Sequence, residues 1–295
     1  MSNDIERRTL LGAAGIGALA ALAHGAKPGG PLNPPAGSIA PSGHTLDEVY
    51  AKVAAPDGVT ALPPEILTIT APGYYRLTGP RSGAGAMLLI AASNVTVDLN
   101  GHTLTSTSTS SGVVEVSGVQ TNITVRNGTL ASGNYGFACF TASSNVVLED
   151  LTLLGQRLIG VAFGHNSFRT ARIVNCHAVN IGAATVPGDS GLQLRGFVVT
   201  GSFIYMYRCT VLRFLYNGSG TADIRGIDIA SEPVNGGFAN TVDSCVVAHS
   251  ANFTGPNSIG IRIASAGQYR NNASMGFPAA YSINTTAVLN GGGNV

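Results

Sequence analysis

A glycine followed by alternating apolar residues returns six times along this chain: GVVEV at Gly112, GFACF at Gly136, GVAF at Gly160, GLQL at Gly191, GIDI at Gly226 and GIRI at Gly260. Successive glycines stand 24, 24, 31, 35 and 34 residues apart. A repeat of this length marks a unit too small to bury its own apolar face, so each unit must stack on its neighbours. That constraint decides the architecture before any chemistry is considered.

Each unit carries a second short strand. The series runs NVTVDLNGHTL from Asn94, NITVRNGTL from Asn122, NVVLEDLTL from Asn145, ARIVNCHAV from Ala171, IYMYRCTV from Ile204, TVDSCVV from Thr241 and YRNNASM from Tyr269. Period-two alternation with Val and Ile in the apolar slots is a strand signature. Asn, Gly and Ser between the strands leave no room for crossover helices. An antiparallel sandwich also shows many short strands, but it has no reason to repeat one phrase six times. The chain is therefore expected to be all-β, a single-domain parallel β-helix.

Stacking then predicts interior columns. One holds Leu151, Cys176, Cys209, Cys245 and Ala273; a second holds Phe137, Val161, Leu192, Ile227 and Ile261; a third holds Cys139, Phe163, Leu194, Ile229 and Ile263. Asn127, Asn175 and Asn271 suit the bends, because Asn tolerates left-handed backbone. The triplets Asn94-Val-Thr96 and Asn122-Ile-Thr124 are read in the same way, as turn chemistry. The stacked cysteines are expected to be buried free thiols, with a bridge between layers as the alternative. Their spacing does not suit zinc.

The stretch ITAPGYYRL from Ile69 through SNVTVDLNGHTL from Ser93 resembles the first coils of right-handed parallel β-helix proteins of the pectin-lyase-like superfamily, and the coil grammar extends over about residues 66–290. The resemblance implies a right-handed solenoid of three-strand coils that binds or cleaves polysaccharide along one exposed sheet. The chain has no tryptophan, so the Trp-Ile-Asp-His motif of pectate lyases is absent. The Asn-Thr-Asp, paired-Asp and Gly-His-Gly set of polygalacturonases is absent too. Fold alone does not assign an activity.

The N-terminal segment reads differently. Glu6-Arg7-Arg8-Thr9-Leu10-Leu11 precedes an Ala/Gly-rich apolar run ending at Ala23, the pattern of a twin-arginine signal peptide over residues 1–23. The run is too short for a membrane span. Periplasmic or secreted localisation follows, with no membrane span after cleavage. Residues 24–43 are Pro/Gly-rich and read as a linker. Residues 44–295 are expected to form the β-helix domain. It begins with a capping helix over about 44–55, where Thr45 is the N-cap and Glu48 its capping-box partner. No such cap is visible at the other end, which leaves association with another copy through the C-terminal end as an expectation.

Charged residues make up 11% of the chain and the formal net charge is +1, which gives no footprint for nucleic acid. Lysine occurs only at Lys27 and Lys52, so positive charge on the solenoid is all arginine, a residue suited to planar carboxylate or sulfate groups.

On the glycine strands the residue two after each glycine should face outward: Val114, Ala138, Ala162, Gln193, Asp228 and Arg262. Asp189, Arg195, Asp223, Arg225 and Glu232 fall around the last three, and the longer loops at 181–190 and 216–224 could wall a groove there. The plain reading is an ordinary surface ion pair between Asp228 and Arg262. The functional reading makes Asp228, Asp223 and Asp189 ligands of Ca²⁺, which would neutralise a uronate carboxylate. Arg262, Arg195 or Arg225 would then take the C5 proton in β-elimination, and Gln193 and Glu232 would contact the sugar. A hydrolase would need two flanking carboxyls, for which Asp223 and Asp228 are nearest in sequence. His165, His177 and His249 read as turn residues, and Asp98 and His102 as structural.

Three classes stay open: a polysaccharide-acting enzyme, lyase before hydrolase; a non-catalytic glycan-binding protein using Tyr205, Tyr207 and Phe214 as platforms; and a structural envelope solenoid.

Overall fold

The computed structural model describes residues 58–65, 67–187, 189–216, 222–230, 240–249, 258–264, 267–283 and 288–295. By contacts the chain divides into Met1–Ala54 and Ala55–Val295. The signal peptide, the linker and the expected capping helix all lie outside the described residues. Among those that are described there is no helix, and hence none long and apolar enough to cross a membrane.

Among the described residues every strand pairing is parallel, and the pairings sort into three ladders with a solenoid-like repeat. The first ladder carries the core column Val97, Val125, Leu148, Ile173, Met206, Val242 and Tyr269, each paired with the next. The second carries Leu104, Leu130, Leu153, Ala178, Val211 and Val247. The glycine-strand ladder carries Phe137, Val161, Phe197, Ile227, Ile261 and Tyr281. Nearly all of these side chains are fully buried, so one continuous apolar core runs between the ladders. Layers about 4.8 Å apart bury what no single coil could.

The corners explain the Asn-rich punctuation. Between the first and second ladders the chain turns at Asn100, Asn127, Asp150, Asn175, Arg208, Ser244 and Asn271, all with φ between 51° and 59°. The corner leading into the first ladder uses Asn94, Asn122, Asn145, Thr170 and Phe203, again with positive φ. Asn side chains stack there: Asn122 Nδ2 donates to Asn94 Oδ1 at 2.7 Å, and Asn145 Nδ2 to Asn122 Oδ1 at 2.8 Å.

Each of the three expected columns is out of register at one position. The glycine that aligns with Gly160 and Gly226 is Gly196, not Gly191. A Cβ on Gly160 would meet Gly196 O at 2.5 Å, and one on Gly196 would meet Gly226 O at 2.6 Å, whereas one on Gly191 would meet nothing within 4 Å. Phe197 and Val199 therefore take the places expected for Leu192 and Leu194. In the cysteine column the residue after Cys245 is Asn272 rather than Ala273, since Val246 pairs with Ala273. Asn272 is fully buried and satisfied: its Oδ1 accepts from Cys245 N at 2.9 Å and its Nδ2 donates to Val242 O at 3.0 Å.

Cys139, Cys176, Cys209 and Cys245 are free and buried. At the C-terminal end, Asn271 N donates to Gly292 O at 2.9 Å and Ser274 N to Val295 O at 2.8 Å. Residues 288–295 thus add a partial rung to the first two ladders.

Candidate functional site

Five charged side chains from three successive coils meet on the outside of the glycine-strand ladder. Arg195 stands on Gln193–Tyr207, Asp223, Arg225 and Asp228 on Asp223–Ile229, and Arg262 on Ile259–Ile263. Register brings them together: Arg195 pairs with Arg225, and Asp228 with Arg262. Arg225 and Asp228 also meet each other, although they are three residues apart on one strand.

The two arginines stacked in adjacent rungs would repel, and the carboxylates offset this. Asp223 Oδ2 lies 2.6 Å from Arg195 Nη2 and 3.2 Å from Arg225 Nη2. Asp228 Oδ2 lies 2.8 Å from Arg225 Nη1 and 3.6 Å from Arg195 Nε, while Asp228 Oδ1 lies 3.1 Å from Arg262 Nη1. Arg195 also donates to the carbonyls of Leu194 and Asp223. Among the described residues, three guanidinium groups against two carboxylates leave one net positive charge.

Exposure separates the members. Arg195 and Asp228 are buried, with side chains 3% and 7% exposed, whereas Arg225 and Arg262 reach 18% and 33%. Burial pushes the Arg195 guanidinium below its ordinary range, with the charge of Asp223 opposing the shift. Arg195 and Asp228 therefore form an inner layer that holds the outer arginines in place.

The remaining expected site residues lie elsewhere. Gln193 pairs with Asp223, and the neighbour of Asp228 on that strand is Val198; the expected Gln193–Asp228–Arg262 line does not form. Asp189 accepts from the Val186 amide at 3.0 Å and from Arg157 at 2.5 Å, and these two contacts hold its carboxyl below the ordinary range. Glu232 lies outside the described residues, as do 217–221 of the second expected wall loop.

These carboxylates do not fit a Ca²⁺ site as arranged. Both oxygens of Asp228 face guanidinium groups. Among the described residues, no group of three or more His, Cys, Asp or Glu stands close enough to hold a metal ion. Hard cations need several free oxygen ligands.

No family model matches the chain, and no curated protein or solved structure matches it significantly.

The expected aromatic platforms are divided between environments. Tyr205 and Tyr207 face outward on the first ladder, not on the glycine-strand ladder. Phe214 is fully buried and meets His249 and Phe277 edge-on. Gly226 and Gly260 gave the Asp228–Arg262 pairing directly. The Arg195–Arg225 pairing follows only once Gly196 takes the place of Gly191 in the series.

Proposed function

We propose that this chain is an exported, right-handed β-helix protein of the pectin-lyase-like type that binds an acidic polysaccharide. A carboxylate or sulfate of the sugar is received by Arg225 and Arg262. The observation that carries this reading is the five-residue cluster with its single excess positive charge. Its buried members are already compensated, and its outer guanidinium groups are already oriented. A charged planar donor held in place forms stronger hydrogen bonds to oxyanions than a mobile one. The twin arginines at Arg7-Arg8, the linker and the capping helix over 44–55 belong to the same reading on sequence grounds.

A β-eliminating version has one observation in its favour: burial lowers Arg195, the direction that an arginine base requires. Arg195 is only 2% exposed and its donors are engaged, so binding ranks first.

The test is titration of the full chain with polygalacturonate, alginate, a sulfated galactan and neutral dextran, with and without Ca²⁺. Retention of an acidic polymer that weakens about tenfold in Arg262→Gln, and falls with salt, is expected. Unsaturated product would move the assignment to a lyase. Equal affinity for dextran and the acidic polymers would remove the proposal.

A further inference from the structure

The corner leading into the first ladder holds Asn94, Asn122 and Asn145 in three coils, Thr170 in the next and Phe203 in the fifth. Asn tolerates left-handed backbone through local hydrogen bonding, whereas a bulky aromatic at φ 60° is an outlier. Core packing does not account for Phe203, which is 46% exposed. Strain of this kind persists where the surrounding structure over-determines it, and it concentrates at ligand-contacting positions.

Phe203 is not isolated. Tyr205 and Tyr207 follow at alternate outward positions of the first ladder, with Tyr205 37% exposed. Their rings lie 6.0 Å apart, inclined by 25°, and the Arg208 guanidinium sits 4.9 Å from the centre of the Tyr207 ring. The neighbouring rungs offer shorter or charge-compensated side chains: Arg172 and Val174 on one side, Thr241 and Asp243 on the other. Arg172 pairs with Glu149, and Asp243 with Arg270. Two tyrosine rings therefore line the strand and Phe203 stands at the corner where it begins; beside them Arg172 and Asp243 are ion-paired, and the Arg208 guanidinium lies against the Tyr207 ring.

We propose that Phe203, Tyr205 and Tyr207 form a stacking platform for the rings of a neutral polysaccharide lying along this strand. The C–H face of a pyranose carries partial positive charge and little polarity, which suits the negative face of an aromatic ring. Arg172 and Asp243 on the neighbouring rungs are ion-paired, and the Arg208 guanidinium is engaged with the Tyr207 ring, so stacking on a sugar ring is the contact this row offers. A protein partner would require a broad apolar patch, and this one is a single strand wide. The platform stands on a different ladder from the arginine cluster and holds whether or not that cluster binds an acid.

The test is native electrophoresis of the full chain through gels cast with hydroxyethyl cellulose, a soluble β-1,3-glucan, xylan or galactomannan. At least one polymer is expected to retard the protein. Three substitutions borrow residues that already occupy the same columns in other coils: Phe203→Asn, Tyr205→Thr and Tyr207→Val. Each is expected to weaken retardation about tenfold while the fold survives, and Phe203→Asn is expected to leave the thermal midpoint equal or higher. Arg262→Gln is expected to be retarded like the unaltered chain. The platform is overturned if no polymer retards the protein, if the three variants are retarded equally with it, or if Arg262→Gln alone abolishes retardation.

Discussion

Asp228 and Arg262 are paired neighbours in adjacent coils, with Arg262 Nη1 3.1 Å from Asp228 Oδ1. They contribute unequally to the site, because Asp228 is 7% exposed and Arg262 33%. Asp228 also faces Arg225 and Arg195, so it is the hub, and Arg262 is a rim contact.

Asp228→Asn is accordingly expected to cost about 3 kcal/mol, because it leaves a buried guanidinium layer without its counter-charge. Arg262→Gln removes a partly solvated partner and is expected to cost about 1 kcal/mol or less. Urea unfolding of both variants measures the difference. Equal costs would mean that Asp228 is not the centre of the cluster.

The register of the glycine-strand ladder makes a second prediction. Gly196→Ala places a Cβ 2.4 Å from Val211 Cγ2 and 2.6 Å from Gly226 O, and the backbone oxygen cannot move without shifting a rung. A loss of about 3 kcal/mol is expected, from overpacking against backbone. Gly191→Ala meets no atom within 4 Å but has φ 62°, so only the strain of left-handed backbone applies, about 1 kcal/mol. Thermal midpoints should fall in that order. The reverse order would restore Gly191 to the ladder.

The same comparison shows what the sequence could express. Alternation identified the strands, and Asn marked the corners, because both follow from local backbone preference. Choosing between Gly191-Leu-Gln-Leu and Gly196-Phe-Val-Val required knowing which glycine faces a neighbouring carbonyl, and that depends on the coil above. Both phrases alternate, and Leu194 is buried in either case. The inserted turn at 182–192 shifted the count, and Gln193 moved away from Asp228 with it. The paired state of the carboxylates was equally hidden: Asp189 reads as a free ligand until Arg157 is placed beside it.

Acid should destabilise the protein through Asp98 and Asp243. Burial opposes the charge on Asp98, but the Asn100 amide, Tyr74 and Asn127 outweigh it and hold its carboxyl below the ordinary range. Asp243 is likewise desolvated, and Arg270, Asn271 and Ser244 hold it down. A lowered folded-state pKa stabilises above the unfolded value of about 3.9, and this contribution is lost as pH falls through the folded value. Stability should therefore be level from neutral to about pH 5 and should drop below about pH 4. Asp98→Asn and Asp243→Asn should each lower the plateau and flatten the acid limb by about one proton. An unchanged limb in both would show that these carboxyls are not depressed.

The cysteine column supplies a reporter of the stacked core. Cys209 Sγ donates to Ile173 O at 3.4 Å and Cys245 Sγ to Asp243 O at 3.4 Å. Burial pushes the Cys209 thiol well up; Cys245 is raised first by its hydrogen bond with Cys209 and then by burial. Nucleophilic thiol chemistry needs thiolate and access, and these positions offer neither. All four cysteines are buried, so the native protein at pH 8 should react with a disulfide reagent only as fast as it opens. In denaturant four thiols should titrate at once. Added denaturant below the unfolding midpoint should speed the native reaction in step with the loss of global stability, because Cys176, Cys209 and Cys245 sit in the interior of successive coils and no single loop exposes them. Rapid labelling of even one of these three thiols under native conditions would mean that the second ladder opens locally, coil by coil, rather than with the whole core.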